Sequence, residues 1–295
     1  MKKILILPLL ALLFLASCSS GDGDDAPSTV TDDDPVVVDR SQNLLATGAS
    51  ANDLLANVNF DRLLIQIGHV SGFRPTQETM DNFMQFIQAH TFKQNIDIEF
   101  LELDSPGEET LTLQRIAELE SENRTAYNDG NTLAVYIYFA DAPSDGDDED
   151  AGTVTLGAVY RNTSMVIFER TIRSLAARSL VITNTDIETA TLNHEFGHLF
   201  GLVNIGTVAI NDHEDPEAPN HCNVEGCLMQ AQLTFGSPSA RALVANNAKE
   251  ELTSACSISG YAMLDFLENQ ASRSLAIVPE LDPECVLDLQ GNGGR

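Results

Sequence analysis

The stretch Asn193-His194-Glu195-Phe196-Gly197-His198 constrains this chain more than any other. On an α-helix, residues at i and i+4 lie one above the other, so His194 and His198 would present two imidazoles to one point. Two neutral imidazoles so placed can grip a transition-metal ion, zinc above all, and Glu195 beside them can reach a water on that ion. The helix is argued separately: Thr185 and Glu188 form a T-x-x-E capping box, Asp186 suits the electropositive first turn, and Gly201 sits where a left-handed stop belongs. The expected span is Asp186 to Phe200. Leu192, Phe196 and Leu199 would face the core, and Ile187, Ala190, His194 and His198 would form an adjoining stripe toward a cleft.

A catalytic zinc normally takes three protein ligands and keeps one position for water. Gly201-Leu202-Val203-Asn204 extends the pattern to H-E-x-x-H-x-x-G-x-x-N, which resembles the metzincin metallopeptidases. Their last position is usually His or sometimes Asp; the neutral amide of Asn204 is a poor zinc ligand. Downstream, His221-Cys222 through Cys227-Leu228-Met229 reads H-C-x4-C-x-M and is similar to the segment that follows the glycine in archaemetzincins. The resemblance covers the helix through Met229. It implies a zinc peptidase with His194, His198 and His221 as ligands, Glu195 as general base and Met229 as a soft packing floor. An insertion, Leu202 to Asn220, separates the glycine from His221, and His213 inside it is the alternative third ligand. A thermolysin-like arrangement would instead take Glu250 or Glu251. A third reading is a binding or adhesion lipoprotein that keeps a metal helix without turnover.

Five cysteines have to be accounted for. Met1-Lys2-Lys3 followed by the apolar run Ile4 to Leu15 reads as a secretory signal, too short to span a bilayer comfortably. It ends in Leu15-Ala16-Ser17-Cys18, which looks like the lipobox of bacterial lipoproteins and implies lipid on the Cys18 thiol. The expected location is the cell envelope, on the outer membrane and exposed at the surface if the acidic Asp22, Asp24 and Asp25 serve as an export signal. Cys222, Cys227, Cys256 and Cys285 remain, an even number in an exported chain, so two disulfides are expected. Archaemetzincins carry a second, cysteine-bound zinc, but Cys256 and Cys285 lack a C-x-x-C spacing.

Residues 18–40 are rich in Ser, Gly, Asp, Pro and Thr and read as a flexible tether. Loss of residues 1–17 would move the net charge from −28 to about −30, which argues against a nucleic-acid partner and leaves a peptide or protein substrate. The acidic run Asp145 to Asp150 has oxygens calcium would accept, yet it lacks EF-hand spacing and reads as an exposed loop.

The remainder divides into an upper lobe, 41–204, and a smaller irregular and helical lobe, 205–295. Strands are expected at Asp61–Val70, Ile96–Leu103 and Thr132–Ala140. Helices are expected at Thr76–Ala89 and, for the most part, over Glu108–Tyr127. Their alternation predicts an α/β (α+β) fold with a twisted, mostly parallel sheet. Thr153–Tyr160 and Thr163–Glu169 flank Arg161-Asn162 as a hairpin whose second strand would lie at the sheet edge. In the last lobe, Ser239–Cys256 and Gly260–Gln270 read as helices, Leu281–Cys285 as a pinned tail, and Gly291–Arg295 as a frayed end.

Overall fold

Strand β3 (Thr132–Phe139) is buried at every residue after its first, as a run of apolar, aromatic and β-branched side chains requires when helices cover both faces of a sheet. In the computed structural model, which describes residues 38–148, 154–230, 252, 260–273 and 278–295, it is preceded by α1 (Ala51–Leu55), β1 (Arg62–Val70), α2 (Gln77–His90), β2 (Asn95–Leu103) and α3 (Leu113–Asn123). It is followed by β4 (Gly157–Arg161), β5 (Ser164–Ile167), α4 (Glu169–Ala176), α5 (Asn184–Leu199), β6 (Glu214–Asp215), β7 (Ala218–Cys222), α6 (Gly260–Ser272) and α7 (Pro283–Gly291). The main sheet has the order β2-β1-β3-β5-β4; β6 and β7 form a separate antiparallel pair.

β1 runs parallel to β2 and β3, and β3 to β5; only β4 is antiparallel. The mixed α/β fold with an antiparallel edge is therefore the one expected, with one correction. The first strand of the hairpin, β4, forms the edge, and the second, β5, lies inside. The chain leaving β3 travels outward before it returns, and β5 then fills the gap with a ladder on each side. Leu63, Ile65 and Ile67 of β1 and Val135, Ile137 and Phe139 of β3 pack on α2 and α5, while Tyr136, Tyr138, Tyr160 and Val166 meet α3 on the other face.

α5 is buried around its whole circumference from Ile187 to Leu199, so the expected division between a core stripe and a cleft stripe does not hold. Phe196 packs edge-on against Phe83 of α2 at 5.0 Å. Its cap also lies two residues earlier than expected: Thr183 and Asp186 make the reciprocal capping box. Thr185 and Glu188 are drawn into tertiary contacts instead. The Thr185 hydroxyl meets that of Thr76 at 2.9 Å, and Glu188 accepts from the Thr79 hydroxyl at 2.5 Å and the Thr76 amide at 3.1 Å. Glu169 of α4 lies beside Glu188, and burial, with that second carboxyl, raises it to about 8 despite Arg173 2.5 Å away.

α3 is shorter than the expected helical stretch because Thr112 caps it, accepting from the Arg115 amide. The stretch read as a pinned tail is the start of α7, with Asp282 as N-cap and Pro283 in the first turn. The last residues are held rather than frayed: the Arg295 amide donates to the His90 carbonyl at 3.1 Å, and its guanidinium lies over Phe92. The expected signal, tether and Ser239–Cys256 helix lie outside the described residues, apart from Val38–Arg40 and Leu252.

Candidate metal centre

α5 carries His194 and His198 on successive turns, both fully buried, and β7 brings His221 against them. The ring centroids of His221 lie 5.4 Å from His194 and 5.0 Å from His198. One ligand atom from each of the three lies within 4.8 Å of the others, so the group could hold a metal ion. His194 Nδ1 is 2.7 Å from the Leu228 carbonyl and must donate to it, which leaves Nε2 as the lone-pair nitrogen. His198 Nε2 is 3.0 Å from that atom. Two nitrogens on one tetrahedral zinc stand roughly 3.3 Å apart, so the spacing fits. His221 Nδ1 meets the Pro219 carbonyl at 2.9 Å, turning Nε2 inward by the same logic.

Burial disfavours the imidazolium forms. It lowers His194 to about 3, carries His198 well down, and lowers His221 as well; the neighbouring rings add to the first two shifts. All three are thus neutral at physiological pH, the state a metal requires. Glu195 follows His194 on the helix and is fully buried. Met229 is also fully buried, and its sulfur lies so near Gly197 that any side chain there would collide with it. The glycine between Glu195 and His198 is what admits the thioether beneath the helix.

His213 does not join this group. Although it lies in the insertion, it is 2% exposed, and its contacts define a second group with Cys222, Asp282 and Cys285 that could also hold a metal ion. His213 Nδ1 is 3.3 Å from Cys222 Sγ and 4.0 Å from Cys285 Sγ, and Cys227 Sγ is 3.6 Å from Cys285 Sγ. Around one tetrahedral zinc, sulfur-to-nitrogen and sulfur-to-sulfur separations are about 3.6 and 3.8 Å. The distances suit a set of two sulfurs, one nitrogen and one carboxylate oxygen, from Cys222, Cys285, His213 and Asp282, with Cys227 beside it. His213 Nε2 is 2.9 Å from Asp288 Oδ2, a carboxylate that aims the other ring nitrogen at the sulfurs. The thiols of Cys227 and Cys285, then Asp282 and His213, hold Cys222 below the ordinary thiol range.

The expected disulfides are not formed by Cys222, Cys227 or Cys285. Cys227 Sγ and Cys285 Sγ stand 3.6 Å apart, well beyond a bond of about 2.05 Å, and Cys222 and Cys285 belong to a group that suits a shared ion. Cys256, Cys18, Glu250 and Glu251 lie outside the described residues.

Asn204 belongs to neither group. Its amide donates to Glu214 at 2.6 Å and accepts from the Ala209 amide at 2.9 Å, so it shapes the insertion. His69 and His90 also stand apart: the first is a buried strand residue and the second ends α2. Among the described residues the acidic run contributes no group of this kind, and Asp147 accepts instead from the Thr155 amide at 2.7 Å. Two residues with a part in the second group escape a reading of the sequence. Asp282-Pro283 does mark a helix start, from which a capping carboxylate near Cys285 follows. Nothing local marks Asp288 as the partner of His213, 75 residues away. No protein-family model matches this chain, and no curated protein is similar to it in sequence.

Proposed function

We propose that the chain is a zinc-dependent metallopeptidase in which the histidine group is catalytic and the sulfur-rich group structural. The observation that carries this reading is three buried imidazoles converging on one point with Glu195 next to one of them on the same helix. Three protein ligands leave a tetrahedral position for water, whereas Cys222, Cys285, His213 and Asp282 supply four and close the shell. When bound, zinc supplies Lewis acidity toward water and the scissile carbonyl. Glu195 takes the proton of the attacking water and passes it to the leaving amine. His194 and His221 hold their rings in the ligating tautomer through the Leu228 and Pro219 carbonyls.

The experiment is hydrolysis of a mixed peptide library with and without a chelator, and by Glu195→Ala. Chelation should abolish turnover and added zinc restore it. Glu195→Ala should lose about 10²- to 10⁴-fold while keeping its metal. Hydrolysis indifferent to both changes would place the activity elsewhere.

Anchoring by lipid on Cys18 belongs to the same proposal, supported by the residues before it. Radiolabelled palmitate should enter the wild type and be absent from Cys18→Ala, which should partition into the soluble fraction. Membrane retention of the variant would rule out this anchor.

A further inference from the structure

We infer that Gly157, the first residue of β4, is a positioning residue for Glu195. The inference rests on the reading of Glu195 as general base. Gly157 pairs with Ile167 of β5 and is buried against α5. A Cβ there would stand 2.8 Å from Glu195 Cγ, 2.9 Å from Thr191 Cγ2 and 3.1 Å from Glu195 Oε1. Its φ lies outside the left-handed region, so the backbone would accept any L-residue. Only the space is special.

That space is filled by one side chain's stem and one helix residue. Thr191 lies one turn before Glu195 on the same face of α5, so the two form a shelf onto which the strand is lowered. The atom a methyl would strike first is Cγ of Glu195, near the root of the side chain, so a swing of the carboxylate alone cannot relieve the contact. The side chain has to change rotamer or the strand must lift from the helix. The first moves the carboxylate directly, and the second opens the packing of the strand that holds it in place. The three heavy atoms nearest such a methyl include none from His194, His198 or His221, so metal binding is separable from the placement of the base.

The same residue explains why the edge strand can pass this close to the buried helix. Ala158 and Val159, which follow it, carry ordinary side chains that are themselves buried. A strand with alanine in place of Gly157 would fold onto the same helix with the base rotated out of place.

The test is Gly157→Ala in two backgrounds, with metal content, thermal midpoint and peptide turnover measured on the full chain. Against wild-type Glu195, we expect unchanged metal stoichiometry and KM within about threefold, with kcat lower by about 10²-fold, the scale expected for a displacement near 1 Å. The thermal midpoint should fall in this background. In the Glu195→Ala background the contacts with Glu195 are gone and only that with Thr191 Cγ2 remains, so the same substitution should lower it less, a non-additivity that marks direct contact with Glu195. A merely structural glycine would cost the same in both.

Should Gly157→Ala fail to fold, folding of Gly157→Ala/Glu195→Ala supports the inference, and failure of both overturns it. Full kcat in Gly157→Ala beside Glu195-dependent turnover in the wild type overturns the inference alone. Absence of Glu195-dependent turnover in the wild type overturns the reading beneath it and the positioning role together. Equal thermal losses in the two backgrounds overturn the contact itself.

Discussion

His221→Ala should bind one metal ion fewer than the wild type and should lose nearly all turnover. The imidazole completes the histidine group, and removing it leaves His194 and His198 as a two-ligand site that cannot hold zinc tightly. The loss of Lewis-acid stabilisation is several kcal/mol, or at least about 10³-fold in rate. His213→Ala should also bind one ion fewer, but the one it keeps should be the catalytic one. That variant should keep measurable hydrolysis per folded molecule, because its ring lies against Cys222 and Asp288 and not against His194. Metal content by mass spectrometry of the native protein, with turnover of each variant, separates the cases. Hydrolysis that survives in His221→Ala and vanishes in folded His213→Ala would exchange the roles of the two groups.

The second large effect concerns stability. Cys285→Ser should lower the thermal midpoint by on the order of 10 °C, since a chain of this size shifts about 2–4 °C per kcal/mol and a broken thiolate site costs several. Asp282 caps α7 while facing Cys222 at 3.0 Å, and the Leu228 amide donates to the Glu280 carbonyl at 2.9 Å, so loss of the group should loosen α7 and strand β7, which bears His221. With the metal stripped under denaturing, non-reducing conditions, Cys222, Cys227 and Cys285 should each accept an alkylating label. Resistance to labelling until reductant is added would restore the disulfides expected from cysteine count.

Much of this was legible in the chain because it depends on local period. β1, β2, β3 and α2 follow from apolar alternation and spacing, and the pairing of His194 with His198 follows from the pitch of a helix. The resemblance to the archaemetzincin segment points to His221 as the third imidazole, and His221 does join His194 and His198 in one buried group. What could not be read depends on partners far apart in the chain. The burial of His213 is set by Asp288 and Cys285, which arrive on α7 after a long excursion. The cap of α5 moved because Glu188 is more valuable to Thr76 and Thr79 than to its own helix start. The charges of Asp212, Glu214 and Asp215 beside His213 point to an exposed loop; contacts with Cys222, Cys285 and Asp288 make it a core residue.

The peptide bond between His221 and Cys222 joins the two groups with no intervening residue, so they cannot be assembled independently. Once Cys222 is fixed by an ion, the neighbouring ring is already at its post and a second ion meets little further ordering cost. Filling either group should therefore ease the filling of the other, so that two ions bind with positive cooperativity.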